Sequence, residues 1–351
     1  MKVLIETAGV GPGGITRFVA ELIRHWPSDD DLYVVTADDH MARELDAYAT
    51  FVTVPGGSRL SSIWQIGTRT ERQMRQLSPD VVLSASPSLV SPFPRIPRVV
   101  VLHDLFFRLV PDQVSRKQRA YRAFVYRNAL THSRTIICNS RRTQSDLEAW
   151  QPQRRAKSVV VPLAPAEVFT APPRWTGNTG PGRLVVTAHN PLKGSQRLLR
   201  ALTELPDWSA VLLAGSAERA DELTAAAGSL NLADRVKVEQ FLVDSELREL
   251  MATSCGLVIP SDIEGFGLPA LEALAMDVPV VISPDAALRE ATDGRASEMS
   301  DWSDRSLVTA IERLPDIPEQ HWRDAGQWAR GRTWADVARE IRDVCAQASV
   351  R

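Results

Sequence analysis

Short apolar runs, each bounded by glycine, proline or polar clusters, recur along the whole chain. In the first half they fall at residues 2–6, 32–36, 51–54, 81–84, 99–102, 134–138 and 159–161. In the second half they fall at 184–187, 210–214, 235–239, 256–259 and 279–282. Most are apolar throughout and do not alternate, the pattern of parallel strands buried on both faces. Stretches of helical period separate most of them, from about 15–25 and 140–150 to an amphipathic tail ending near 348. Strand and helix in alternation predict an α/β protein with helices on both faces of its sheets. Residues 162–182 are rich in Pro, Gly and Ala and lack periodicity, which predicts an interdomain linker. The expected division is a first domain over 1–165, a linker over 166–182 and a second domain over 183–335.

The chain's 351 residues suit two domains of ordinary size. Apolar residues make up 44% and charged residues 24%, an ordinary soluble balance. Cys138, Cys255 and Cys345 are scattered without CxxC spacing in apolar surroundings, so buried free thiols in a reducing compartment are expected. No apolar run reaches the ~18 residues that a membrane span needs. The opening MKVLIETAG reads as a strand, not a signal peptide, and a cytoplasmic protein is expected, with surface contact with a membrane left open.

Charge is unevenly spread. The chain carries a formal −2, yet residues 95–157 hold 14 Lys/Arg against 4 Asp/Glu. Arg116, Lys117, Arg119, Arg122 and Arg127 fall on one predicted helix, whose Tyr121, Phe124 and Val125 have the spacing of a core-facing stripe. A solvated basic face is the plain reading. Docking on anionic lipid headgroups or an anionic lipid-linked acceptor at the inner face of a membrane is the sharper one. Nothing matches a nucleic-acid recognition motif.

Two Gly-rich turns carry candidate chemistry. After the first strand come Gly9, Gly11, Gly13 and Gly14 and then a helix, a place where free N–H groups and the helix dipole favour an anion. Gly9-x-Gly11-x-x-Gly14, with Asp38 and Asp39 downstream, also fits a dinucleotide fingerprint, and a tight packing turn remains an alternative. The second turn lies in 260–275, PSDIEGFGLPALEALA, preceded by a short apolar strand. Pro269 suits the first turn of a helix. That places Glu264 on the turn and Glu272 one to two turns into the helix. His103 and Asp104 end an apolar strand, where α/β folds hold ligands, though a lone histidine there is often structural. Gly215 ends another strand and permits close approach of a ligand. Asn139 and Ser140 open a helix, Ser140 as its cap first and a site residue second.

The string Pro260, Ser261, Glu264, Gly265, Phe266, Gly267, Leu268, Pro269, Glu272 and Ala273, followed by Pro279, Val280 and Val281, closely resembles the signature of retaining glycosyltransferases of family 4. The resemblance implies the GT-B fold, two Rossmann-like domains facing across a cleft, with residues 336–351 returning to the first domain. It implies transfer of a sugar from a nucleoside-diphosphate donor to a saccharide, lipid-linked or small-molecule acceptor, of mannosyl or rhamnosyl type in cell-surface polysaccharide synthesis. It gives Glu264 the donor sugar, Glu272 the ribose hydroxyls, and Lys193 and the Gly13 and Gly14 amides the departing diphosphate. It places His103 near the sugar, and Gly265, Phe266, Gly267 and Leu268 around the donor. No cofactor or metal is required on this reading, because cations and N–H groups stabilise the leaving group. Where the family commonly has an arginine about five positions before Lys193, this chain has Ala188, with His189 beside it as a candidate replacement.

The two glutamates are poorly spaced for a hydrolase. Eight residues of helix rise about 12 Å, whereas a retaining hydrolase pair stands ~5–5.5 Å apart. A nicotinamide-dependent dehydrogenase would use the Gly9 turn but leave the 260–281 string without a role. A non-catalytic GT-B partner subunit would be consistent with Ala188.

Overall fold

A computed structural model describes residues 1–7, 10, 13–54, 68–69, 71–88, 96–172, 174–177 and 180–350. The chain forms two units, Met1–Leu163 with Trp334–Arg351, and Ala164–Thr333.

In the first unit β1 (Lys2–Glu6), β2 (Asp31–Thr36), β3 (Thr50–Thr53), β4 (Val81–Ser84), β5 (Arg98–Leu102), β6 (Thr135–Cys138) and β7 (Ser158–Val160) form one sheet. Its order is β3-β2-β1-β4-β5-β6-β7, and every pairing is parallel. β4 and β5 are buried along their whole length, which is why they read as unbroken apolar runs. The helix Trp334–Ser349 belongs to this unit and packs on the helix Gly14–Arg24 and on β4 to β6. Trp334 meets Phe18 edge-on, and Arg342 donates to Asp30 at 3.0 and 3.2 Å.

The second unit holds β8 (Arg183–Thr187), β9 (Ser209–Leu213), β10 (Val236–Glu239), β11 (Gly256–Ile259), β12 (Val280–Ile282) and β13 (Ser297–Glu298). They lie in the order β10-β9-β8-β11-β12-β13, again all parallel. β13 was not expected from the sequence, since two residues, Ser-Glu, carry no pattern. Both sheets are Rossmann-like, and in each the strand order reverses beside the first strand, at β1/β4 and at β8/β11. Such reversals leave a crevice at the carboxyl ends of the strands, where α/β folds hold ligands.

The Pro- and Gly-rich stretch after Leu163 packs on the second unit. It carries a short helix, Glu167–Thr170, and the Trp175 and Thr176 N–H groups donate to the Met276 and Ala252 carbonyls, both at 2.9 Å. All three cysteines are free and buried. Among the described residues no helix is long and apolar enough to cross a membrane.

Candidate functional site

The β8/β11 reversal brings two loops together. The loop after β8 turns through Pro191–Lys193 in one 3-10 turn, and Gly194 closes it at φ 69°. A Cβ at Gly194 would run into the Pro260 carbonyl oxygen, so only glycine lets the loops approach this closely. The Asp262 N–H donates to the Leu192 carbonyl at 2.8 Å. Arg197 completes the tie by donating to the Pro260 carbonyl at 2.5 Å and to Asp262 at 2.9 Å.

Across this junction Lys193 Nζ donates to Glu264 Oε1 at 2.6 Å. Ser261 Oγ donates to the same oxygen at 2.7 Å, and the Ser261 carbonyl accepts from Ser283 Oγ at 2.6 Å. The Lys193 and Glu264 side chains are only 12% and 11% exposed. The expected lysine and glutamate are therefore one ion pair at the mouth of the crevice. An ammonium has three N–H donors and a carboxylate two oxygens, so neither partner is used up by the other.

Beyond Glu264, Phe266 is buried and Gly267 sits at φ 105°, opening the helix Leu268–Ala275. A Cβ on Gly267 would press on Leu288, so packing and φ both require glycine there. Gly265 and Leu268 are half-buried beside it. Glu272 is 1% exposed on that helix and already engaged in interactions within the fold.

Position 188 has no side chain to offer a diphosphate, and a different arginine braces the loop. Arg219, buried near the start of the helix Ala217–Ser229, donates from Nε to the Ala188 carbonyl at 3.1 Å and from Nη2 to Ser195 Oγ at 2.8 Å. Its Nη1 pairs with Glu222 at 2.7 Å. Arg219 thus holds both ends of the Lys193 loop. His189 is exposed beside Lys193 and carries no charge of its own in the unliganded site. Loss of solvation first, and the Lys193 cation second, lower its pKa to about 4, so the ring is neutral near pH 7. Gly215, at φ 77°, lies where a Cβ would meet the His189 Cβ at 2.9 Å. Sequence reasoning missed Arg197, Arg219 and the role of Ser261. Only Ser261 had a signal, as part of the 260–275 string.

In the first unit Gly13 and Gly14 are exposed, and a Cβ on either would meet nothing within 4 Å. Gly14 opens the helix Gly14–Arg24. Gly9 and Gly11 lie outside the described residues. Phe18 of that helix packs edge-on against His103 at 5.0 Å, which relates the two candidates. His103 Nε2 lies 2.8 Å from the Ala85 carbonyl, and burial pushes its pKa down, so the neutral ring donates there. Asp38 caps the helix Asp39–Glu44 by accepting from the His40 and Met41 N–H groups, both at 3.0 Å. Its carboxylate is thus engaged as a cap. Ser140 caps its helix through the Thr143 N–H at 3.0 Å.

The basic helix, Arg116–His132, departs from its expected packing. Val125, Ala129 and Leu130 are buried, but Tyr121 is 43% and Phe124 63% exposed. The helix buries apolar side chains only in its C-terminal half, so the aromatic residues nearer its start are not core. Among the described residues no group of three or more His, Cys, Asp or Glu could hold a metal ion.

Comparison with known proteins agrees with this architecture. The profile of Glycosyltransferase Family 4 matches residues 12–164, and that of Glycosyl transferases group 1 matches 180–297. The MMP alpha-(1->4)-mannosyltransferase of Mycolicibacterium hassiacum is 33% identical over 177 residues, 48% of this chain and 43% of that protein. The O-antigen chain mannosyltransferase RfbU of Salmonella typhimurium is 28% identical over 112 residues, 32% of each chain. The matches thus span less than half the length of these curated relatives. The crystal structure of Anabaena Alr3699/HepE in complex with UDP-glucose superposes with a TM-score of 0.79 at 18% identity, over 99% of this chain and 100% of that one. At that identity the likeness concerns the GT-B fold alone.

Proposed function

The chain belongs to glycosyltransferase family 4, and from that membership we propose that it transfers a sugar from a nucleoside-diphosphate donor, with retention of configuration, to a saccharide or lipid-linked acceptor. The observation that carries this reading is the Lys193–Glu264 pair at the β8/β11 reversal. On departure, negative charge grows on the diphosphate and positive charge on the anomeric carbon. A lysine with two N–H donors to spare meets the first. A carboxylate held by Lys193 and Ser261 through one oxygen offers the other to the sugar. Charges fixed beforehand in a partly dry site need no reorganisation when the bond breaks. The anomeric C–O bond to the diphosphate breaks, the acceptor oxygen bonds to that carbon, and the acceptor's proton goes to the departing diphosphate. Glu272 takes the ribose hydroxyls, the Gly13 and Gly14 amides assist the diphosphate, and His103 orients the sugar.

No metal enters this scheme, because Lys193 supplies the cation. The mannosyltransferase relatives favour a mannosyl donor. The test incubates the full chain with a panel of nucleotide sugars, with and without EDTA, and follows nucleoside-diphosphate release. Turnover with one donor, unchanged by EDTA and lost in Lys193→Ala and Glu264→Ala, is expected. Near-normal turnover in either variant would defeat the assignment, and an inverted anomer in the product would remove retention.

A further inference from the structure

The basic stretch of the first unit has a built feature that the transfer reading does not use. Beside the first turns of the helix Arg116–His132 lies a cavity of about 430 Å³ lined by Arg108, Arg116 and Arg119 with Phe107 and Pro111. No carboxylate lines it. The acids of the stretch are engaged elsewhere or stand apart. Asp146 pairs with Arg142, Glu148 with Arg155, and Asp104 accepts the Phe106 N–H. Asp112 is exposed, and among the described residues it forms no ion pair with the three arginines. Among the described residues Arg108, Arg116, Lys117 and Arg119 form no ion pair, although the chain as a whole is −2. The start of a 17-residue helix adds positive potential at the same place.

Apolar groups accompany these cations. Phe124 is 63%, Tyr121 43% and Leu109 38% exposed. Lys117, Tyr121 and Phe124 follow one another at four- and three-residue spacing, so they share one strip of the helix. Arg108 stacks over Trp150 with its guanidinium 5.1 Å from the ring centre, and Arg122 over Phe106 at 4.7 Å, which holds these cations in place. A groove for nucleic acid would track a backbone with cations and stack bases on aromatic faces. Here a concave cluster of arginines adjoins a convex aromatic strip. That suits a bilayer surface, where phosphates lie above an apolar layer.

We propose that this face docks the protein on an anionic phospholipid bilayer, with lipid phosphate in the arginine cavity and Phe124 and Tyr121 seated at the headgroup–acyl boundary. The proposal is independent of the transfer reading, since it is measured by partition and not by turnover. A cation beside an anionic leaflet is worth roughly a fivefold change in partition.

The full chain should co-sediment with vesicles of phosphatidylcholine plus phosphatidylglycerol and not with phosphatidylcholine alone. Arg116→Glu with Arg119→Glu should lower that partition at least about 25-fold. Arg305→Glu with Arg339→Glu, an equal charge change elsewhere, should leave it within about twofold if docking is local. Phe124→Ser should lower partition several-fold and abolish the part that survives high salt. Equal binding to neutral and anionic vesicles would overturn the proposal. So would equal loss in the two reversal variants, or binding of a duplex oligonucleotide through the same arginines without vesicle binding.

Discussion

Lys193 Nζ lies 2.6 Å from Glu264 Oε1, an ion pair that joins two loops 71 residues apart in the chain. Each charge is nearly buried, so each depends on the other. Removing Lys193 leaves the Glu264 carboxylate with Ser261 as its side-chain hydrogen-bond donor among the described residues and removes the cation proposed to meet the diphosphate. Loss of one preorganised donor of this kind costs about 10²–10³ in turnover. We therefore expect Lys193→Ala to lower kcat/KM by that order. Glu264→Gln should lower it comparably, because the amide keeps shape and loses charge. The double variant should fall by less than the product of the two, since neither residue keeps its full role without its partner. Steady-state kinetics on all three variants test this, and strictly multiplicative losses would mean that the pair does not act as a unit.

Arg219 offers a separate test of how the Lys193 loop is held. It bonds Ala188 before the loop and Ser195 after it, from a buried position. Arg219→Gln should destabilise the second unit by about 1–3 kcal/mol, as for a lost buried hydrogen-bonding partner. If Arg219 positions Lys193, KM for the donor should rise with it. Arg219→Lys should recover stability in part but not the donor KM, because one ammonium does not span two fixed acceptors as a planar fork does. Denaturant midpoints and donor titrations separate the two effects. Unchanged donor affinity in Arg219→Gln would leave it a purely structural brace.

The sheets were legible because their strands are buried on both faces. Val81–Ser84, Arg98–Leu102 and Gly256–Ile259 have no exposed side to interrupt their apolar runs. The Glu264 turn was legible because its parts are contiguous, from Pro260 to Glu272. Its support was not, because Arg197 reaches Pro260 across 63 positions and Arg219 reaches Ala188 across 31. Nothing in a local pattern encodes such a reach. Tyr121 and Phe124 were misread for a related reason. Periodicity reports which residues share a face of a helix, but not how far along its length that face stays covered. Val125, Ala129 and Leu130 mark where covering begins.

His189 gives a prediction that turns on pH. Its pKa falls from 6.5 to about 4 through loss of solvation, then Lys193, with Arg219 adding to the effect and Glu264 opposing it. The unfolded chain binds this proton below about pH 6.5 and the folded chain only near 4. Stability from the neutral ring is thus complete above pH 6.5 and is lost as pH falls from 6.5 toward 4. Contact of the ring with solvent limits its size. An NMR titration should find His189 neutral at pH 6. In Lys193→Ala its pKa should rise, because a nearby positive charge has gone. His189→Gln should flatten the acid side of the stability curve without changing turnover near neutrality. A His189 titration near 6.5 would contradict this account.

Gly194 tests whether the closeness of the loops matters for function. Its φ of 69° alone should cost an alanine about 1–2 kcal/mol. The new Cβ would also strike the Pro260 carbonyl, a backbone atom that cannot rotate away. The two loops must then separate, which lengthens the Lys193–Glu264 contact and the Asp262-to-Leu192 hydrogen bond together. We expect Gly194→Ala to lower the denaturant midpoint of the second unit and to weaken donor binding at least tenfold by calorimetry. Gly228→Ala is the control. That glycine lies in the helix Ala217–Ser229 with nothing within 4 Å of a new Cβ, so the change should be neutral or stabilising by about 0.5–1 kcal/mol. If Gly194→Ala binds donor as tightly as the parent chain, the approach of the two loops serves stability alone, and Lys193 finds its place by other contacts.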